Sequence, residues 1–424
     1  MFGTIRNAWK IPELRKKIFY TILLLIVFRF GSYVPVPYFS ASEMAKYLDA
    51  GEGTLVGFLD LFSGGALRNA TIFAMSISPY ITASIIMQLL TVAIPALEHL
   101  TKDGEEGRKV MAQYTRYLTL LLGFIQASGM YLGLKAAVTP AGQTWLGYFT
   151  IVLTFTAGTA FLMWLGEQIN DKGIGNGISL LIFAGIVSRG PSMIGTILGS
   201  GYAWYTCLAI LACAIAVVAI VVFMQESERR VPIQYAKRVV GRKMYGGQST
   251  HIPIKLLAAG VMPIIFASSF LMFPATVSQF FGVQAGNANW WTKVLKGLSP
   301  GHWVYLTLEF LLIIFFTYFY TAIQMNPVEM ANNIKKNGGF IPGLRPGRPT
   351  SDYLSKVMTR ILIAGGFFLG VMAILPTIMS TGLSISSTLA VGGTSVLIVV
   401  GVALETTKQI EGQMLMRHYK GFLE

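Results

Sequence analysis

Ten strongly apolar stretches divide the chain, and the polar connections between them alternate between basic and nearly charge-free. They run over Ile18–Pro37, Ile72–Pro95, Tyr114–Lys135, Trp145–Glu167, Gly175–Val187, Tyr205–Met224, Leu256–Val277, Trp303–Met325, Val357–Met379 and Leu383–Leu404. Most hold the ~20 apolar residues that a helix needs to cross about 30 Å of hydrocarbon. The fifth is short and glycine-rich, so it either draws on Ser192–Leu198 or ends early. The pattern predicts an all-α polytopic membrane protein with ten transmembrane helices.

One apolar segment is too short to join them. Thr54–Leu67 contains Asp60 and ends near Ser63-Gly64-Gly65. At that length it suits a re-entrant half-helix, which needs protein or a watery cavity around its backbone. An amphipathic helix on the outer surface fits it nearly as well.

The spans divide into two sets of five joined near Ser200–Trp204. Ser76–Ser84 (SISPYITAS) is echoed by Val261–Ser269 (VMPIIFASS): proline, an apolar pair, then a small Ala-Ser step. Two five-span halves must lie in opposite orientation, and inverted repeats of this kind place a pathway or site at their interface. The expected organisation is an amphipathic arm over residues 1–17, a first half over 18–199, a second half over 200–404 and a tail over 405–424.

Charge orients the chain. Of 33 Lys and Arg residues, 26 fall in the termini and alternate connections on one side, 6 on the other, and Arg29 lies inside the first span. Cytoplasmic loops carry the positive excess, so both termini are expected in the cytosol. The formal net charge of +14 is therefore concentrated on one face. Composition agrees with a membrane protein: 54% of residues are hydrophobic and 12% charged, against about a quarter charged in soluble domains. The first span follows Lys16-Lys17 without a small-residue cleavage site, which reads as a retained span rather than a cleaved signal. Cys207 and Cys213 are six apart in one apolar run and cannot pair on a helix; they read as packing residues.

Two connections on the basic side are too long to be turns. Gln225–Lys255 alternates apolar and polar residues around Pro232–Val240 and turns at Gly241-Arg242-Lys243, the pattern of a basic hairpin standing off the membrane. Asn326–Lys356 is rich in Gly, Pro and Asn, with Lys335, Lys336, Arg345 and Arg348. Basic tips of this kind suit nucleic acid, acidic protein surfaces or anionic lipid. Lipid attraction accounts for part of the charge but not for the length of the loops.

Catalytic chemistry finds little support. Only Glu309 lies well inside a span among 19 acidic residues, and the four histidines sit in loops or at span ends. No serine or cysteine is set beside a base, no zinc motif occurs, and neither a cofactor nor a metal site is expected. An ion-coupled carrier would place ionisable groups within its spans. Gly173–Gly177 (GIGNG) lacks the Gly-Lys-Ser ending of a phosphate loop and follows a membrane helix, so it reads as a chain reversal leading into a helix. Arg29 and Glu309 either pair within the membrane or reach separate wet surfaces. What the spans do carry is isoleucine beside small or weakly polar residues: Ile77, Ile81, Ile85 and Ile86 with Thr82, Ser84 and Gln88; Ile178 and Ile182; and Ile264 and Ile265 with Ser268 and Ser269. Composition alone cannot separate a pore position among these from lipid contact or helix packing.

Eight long blocks, in order, carry a family resemblance: Phe62–Leu67 (FSGGAL), Ser78–Leu90 (SPYITASIIMQLL), Glu105–Lys109 (EEGRK), Gly173–Val187 (GIGNGISLLIFAGIV), Tyr235–Lys255, Met262–Val277 (MPIIFASSFLMFPATV), Asn326–Gly347 and Gly392–Val400 (GGTSVLIVV). Along essentially its whole length the chain resembles the SecY family of protein-translocation channel subunits. The resemblance implies an hourglass channel between two five-helix halves, opening sideways between the second/third and seventh/eighth spans. It implies a narrow ring of Ile77, Ile81, Ile178, Ile182, Ile265 and Ile398, the last chosen over Leu397 by its place after Gly-Gly-Thr-Ser. Thr54–Leu67 would be a plug with Leu59 and Phe62 facing the ring beside Gly64 and Gly65. Thr82, Gln88 and Phe273 would line the lateral gate, with hydrogen bonds through Gln88 expected to bias it shut by ~1 kcal/mol. Arg229, Arg230, Lys237, Arg238, Arg242, Lys243 and Arg345 would dock a SecA motor ATPase or a ribosome, through ribosomal RNA and proteins at the tunnel exit. SecE-like and SecG-like small subunits, signal sequences and secretory polypeptides, and anionic lipids complete the implied partners. A bacterial plasma membrane is the implied location.

Overall fold

A computed structural model describes residues 2–50, 60, 63–199, 204–235, 238–240, 243–245, 249–280, 293–294, 297–299, 302–382 and 392–420. The chain opens with α1 (Phe2–Trp9) and α2 (Pro12–Gly31), the latter started by a proline in its first turn, where a missing N–H costs nothing. Helix α3 (Ala41–Ala50) follows. Helix α4 (Ser78–Ala93) likewise has proline in its first turn, and it stops where Ile94 is held extended before Pro95. There the chain bends by 107° into the short α5 (Pro95–Lys102). Helix α6 (Glu105–Gly133) begins after Gly104 and carries Glu105 and Glu106 in its first turn, which suits the positive end of the helix dipole. Then come α7 (Trp145–Lys172), α8 (Gly177–Ser188), α9 (Gly190–Gly199) and α10 (Trp204–Glu226).

The second half continues with α11 (Met262–Phe280) and α12 (Trp303–Gln324). Helix α13 (Pro327–Lys336), capped by the Asn326 side chain, leads to α14 (Arg348–Gly382) and α15 (Gly392–Lys420). A helix overlaps each of the ten predicted apolar stretches, although several boundaries differ, and among the described residues three helices, or four if the bent α4–α5 pair is one span, are long and apolar enough to cross a membrane. Ile72–Ile77, expected as helix, is a run of turns: Ser76 takes a φ of 53°, and helix starts only at Ser78-Pro79. The echo noted between the halves has a backbone counterpart here. Gly260 also takes a positive φ, 59°, and lies three residues before Pro263, as Ser76 lies three before Pro79. In both halves a left-handed residue and a first-turn proline launch a helix that carries isoleucine two positions on, Ile81 and Ile265.

On the basic side the two long connections fold together. Strand β1 (Glu228–Tyr235) pairs antiparallel with β4 (Ser249–Lys255), and within that hairpin β2 (Arg238–Val240) pairs with β3 (Lys243–Tyr245). Val240 pairs with Lys243, which therefore belongs to a strand rather than to the expected Gly241-Arg242-Lys243 turn; Gly241 and Arg242 lie outside the described residues. The second connection adds β5 (Gly339–Phe340) to the free edge of β1, giving the order β4-β1-β5. Val231, Ile233 and Ile254 from the sheet close on Ile334, Leu354 and Met358 from α13 and α14. The basic loops therefore stand on an apolar core of their own.

The main core is a single apolar cluster drawn from both halves, including α2, α4, α7, α8, α11, α14 and α15. Across the division α4 and α6 pack on α11, and α8 packs on α15. The N-terminal arm does more than lie at an interface: Ala8 and Leu14 are buried against Ile174 and Ile410, tying it to the last helix. That last helix runs unbroken from the tenth span to Lys420.

Candidate functional site

The six isoleucines come from α8, α11, α15 and the start of α4. Ile77 is the N-cap residue of α4, and Ile81 follows one turn later on the same face. Ile178 and Ile182 share one face of α8, which is aimed by a well-defined entry. Gly175 takes a φ of 90°, and the Asn176 side chain accepts hydrogen bonds from the Ile178 and Ser179 amides at 3.2 and 3.3 Å. The Gly177 amide donates to Asn170 Oδ1 at 2.7 Å. The GIGNG motif is thus a capped reversal between α7 and α8. Ile77, Ile81, Ile182, Ile265 and Ile398 are all buried in the main cluster, and half-buried Ile178 packs against it. Leu397 lies in the same cluster, so burial does not separate it from Ile398.

Beside Ile81 and Ile182 a cavity of about 20 Å³ remains, lined also by Ser76, Ser78, Ser268, Ser269 and Met272. It holds about one water molecule, far less than a hydrated ion or a polypeptide requires. No lining residue carries a charge. Ile81, Ile182 and Met272 supply its apolar walls and the four serines its hydroxyls. On its basic side lies a roomier cavity of about 330 Å³, whose walls include Asn176, Gln225, Lys255, Glu405, Lys408 and Gln409. Burial raises the Glu405 carboxyl above its ordinary range, and Lys255 nearby partly offsets this. Glu226 of α10 and Lys408 of α15 form an ion pair at 3.1 Å beside it.

Of the plug positions, Leu59 and Phe62 lie outside the described residues. From Ser63 to Ala70 the chain is a series of turns, because Gly64 and Gly65 take φ values of 67° and 86°, where a right-handed helix cannot continue. A Cβ on Gly64 would sit 2.9 Å from the Gly185 backbone, so only glycine lets this segment lie directly against α8. Arg29 Nη1 donates to the Gly64 carbonyl at 3.2 Å and Nη2 to Tyr33 Oη at 2.8 Å. Arg29 therefore reaches the turns at 63–70 rather than Glu309, and Glu309 is only 2% exposed. Asp60 pairs with Arg189 at 2.8 Å. That pair was not anticipated, although Arg189 is one of the few cations on the side where they are scarce.

At the expected gate, Thr82 and Gln88 are half-buried on α4 and Phe273 is exposed on α11, next to Pro274. Thr82 Oγ1 and Ser268 Oγ donate to carbonyls of their own helices, Ser78 and Ile264. Gln88 makes no hydrogen bond among the described residues. Helices α4 and α6 both pack on α11 along this seam.

The basic residues expected to dock a partner are distributed over the sheet unit and its loops. Arg229 and Arg230 are exposed on β1, Arg230 pairing with Glu228 at 2.8 Å. Arg345 is exposed in the turn before α14, where its carbonyl accepts from Thr350 Oγ1. Arg238 and Lys243 lie on β2 and β3, whereas Lys237 and Arg242 fall outside the described residues.

Comparison with known proteins gives a consistent result. The SecY family model matches residues 71–407. The chain is 46% identical to the protein translocase subunit SecY of Streptomyces galbus and 47% identical to that of Halalkalibacterium halodurans, each time over all of both chains. Among solved structures it matches a protein-conducting channel with a TM-score of 0.64 at 19% identity, covering 97% of each chain. A SecY structure described for its plug domain gives 0.66 at 20% identity, again covering 97% of each chain. Sec61 in a canine ribosome–channel complex gives 0.62 at 19% identity over 97% of each.

Proposed function

We infer that the chain, which belongs to the SecY family, is the pore-forming subunit of a protein translocase, a passive channel that passes unfolded secretory polypeptides across a membrane and releases transmembrane segments sideways into lipid. One observation carries this reading: six isoleucines contributed by both halves gather in one uncharged cluster where the halves meet. Stiff β-branched side chains with no hydrogen-bonding groups can dewet a constriction and exclude ions. The same chemistry holds no polypeptide in place, so it lets varied sequences slide. A small-solute carrier needs the opposite, a fixed polar site.

Ile77, Ile81, Ile178, Ile182, Ile265 and Ile398 form the ring, the 54–67 segment is the plug, and the seam where α4 and α6 meet α11 is the lateral gate. The polar cavity on the basic side is the vestibule through which a chain enters. A span leaving sideways gains roughly 0.3–0.6 kcal/mol per Leu or Ile in lipid, so apolarity itself sorts which segments exit. The charge asymmetry supports cytoplasmic termini in a bacterial plasma membrane. SecE-like and SecG-like subunits accompany the chain in this reading.

Movement is driven from outside, by a SecA motor or by a ribosome extending the polypeptide. The sheet unit, with an apolar core and basic surface, is suited to receive either partner. Arg345→Glu is expected to weaken motor or ribosome binding roughly tenfold while the amount of inserted channel stays constant. Binding of both partners to proteoliposomes at wild-type affinity would remove the docking assignment. The function itself is tested by purified complex in vesicles supplied with motor, ATP and an unfolded precursor: protease-protected precursor is expected inside, and none in vesicles lacking the chain.

A further inference from the structure

Helix α8 begins after a chain reversal whose amides cannot all be satisfied locally. Between the end of α7 at Lys172 and the start of α8 at Gly177 the N–H groups need acceptors from elsewhere. Asn170 and Asn176, within the α7–α8 pair, serve the Gly177, Ile178 and Ser179 amides. Two further acceptors come from other helices. Thr21 Oγ1 on α2 accepts from the Ile174 amide at 3.1 Å while its own hydroxyl donates to the Lys17 carbonyl. Gln409 Oε1 on α15 accepts from the Gly175 amide at 3.0 Å. Of these side chains only Gln409 belongs to the opposite half.

Its place on α15 gives that bond leverage. Ile398, Val402, Thr406 and Gln409 follow one another at intervals of four, four and three residues, which lines them up along one face of the helix. At one end of this stripe Ile398 and Val402 lie in the main apolar cluster. At the other, a Cβ on Gly175 would lie 3.2 Å from Thr406 Oγ1, so the backbone of the reversal rests directly on the stripe. Ile178 and Ile182 follow Gly175 within two turns of α8. The bond therefore joins the two helices that bring Ile178, Ile182 and Ile398 together.

The contact is also wet. Thr21 is 7% exposed, whereas Gln409 is exposed and, with Asn176, lines the cavity of about 330 Å³. Water from that cavity can satisfy the Gly175 amide if Gln409 is lost, so the fold itself loses little. Water cannot hold Gly175 at a fixed distance from α15. A directional hydrogen bond can, because its strength falls steeply with distance and angle.

We propose that Gln409 is a positioning residue for the constriction: through the Gly175 amide it holds α8, and with it Ile178 and Ile182, in register with Ile398 of the opposite half. The proposal rests on the ring reading of the six isoleucines. It gives the cytoplasmic-side extension of α15 a part in the seal without any contact to the translocating chain.

The test uses the complete reconstituted complex, idle in planar bilayers, together with its thermal midpoint. Gln409→Met keeps the length and bulk but removes the acceptor; Gln409→Glu keeps an acceptor at the same reach. The Met variant is expected to raise idle ion conductance roughly fivefold, the population change that loss of one hydrogen bond allows, and the Glu variant to stay close to wild type. The midpoint of the Met variant should fall by no more than about 2 °C. A packing role predicts the reverse order, since Met fills the same space, so a Glu variant that leaks as much as the Met variant or more overturns the proposal. A Met variant that leaks only with a larger fall in midpoint overturns it too, because the bond is then a stability contact. Ile182→Lys in the same bilayers separates the two readings. If it conducts while the Met variant is as tight as wild type, the positioning role fails and the ring stands. If Ile182→Lys is itself tight, the ring reading fails and the positioning role with it.

Discussion

Replacing Ile182 by lysine is expected to turn the idle channel into an ion leak. Ile182 is 1% exposed, sits within the shared cluster of both halves and borders the one-water cavity of the waist. The barrier there depends on the waist staying dry, and an ionised side chain at membrane depth costs roughly 3 kcal/mol or more even on low scales unless water follows it in. Hydration is the cheaper outcome, and a hydrated waist conducts. Idle conductance in planar bilayers should rise at least roughly tenfold, with leucine at the same position close to wild type because volume-conserving apolar changes cost under about 1.5 kcal/mol. Equal conductance of the lysine and leucine variants would mean that the seal lies elsewhere.

Gly177→Leu is expected to be the most damaging substitution outside the ring itself. A Cβ at Gly177 overlaps the Gly166 carbonyl oxygen and lies 2.9 Å from the Gly166 Cα, so the obstacle is backbone that cannot rotate away. Helices α7 and α8 would have to separate, and α8 carries Ile178 and Ile182 in its first two turns. Overpacking costs typically about 1–3 kcal/mol, and here the strain falls on the elements that aim the ring. Lower thermal stability of the purified complex should accompany raised leak. Gly412→Ala is the control: nothing lies within 4 Å of a Cβ there, so stability should match or slightly exceed wild type. A Gly177 variant as stable and as tight as that control would show that the α7–α8 contact does not position the waist.

Helix was legible in the apolar stretches because hydropathy over twenty residues is a strong signal, although among the described residues only three helices, or four if the bent α4–α5 pair is one span, are long and apolar enough to cross a membrane. Their ends were less so. Ile72–Ile77 is as apolar as the helix after it, yet the left-handed Ser76 and the first-turn proline delay helix formation. The GIGNG reversal was readable because glycine alone enters positive φ without strain and asparagine caps the helix that follows. The third strand of the basic-side sheet was not: two residues, Gly339-Phe340, carry no periodicity, and their pairing with Gln234 and Tyr235 spans a hundred residues of sequence. Nor does sequence spacing disclose that α1 rests on the last helix. The positions of the isoleucines could be narrowed only through the family resemblance. Isoleucine facing lipid and isoleucine facing a pore look alike until the halves are brought together. Arg29 illustrates the same limit, since its partner is a backbone carbonyl, which no side-chain pattern announces.

The account as a whole is tested most directly by following a polypeptide in transit. A photoreactive side chain is placed in turn at Ile81, Ile182 and Ile265, and, as lipid-facing controls, at Phe19 and Ile215, which are 64% and 61% exposed. A secretory precursor is then stalled midway by a folded C-terminal domain and the complex is irradiated. Adducts to the precursor at all three waist positions and none at the controls are the result expected here. Adducts at the controls with silence at Ile81, Ile182 and Ile265 would contradict it, placing the path of the chain outside the isoleucine waist.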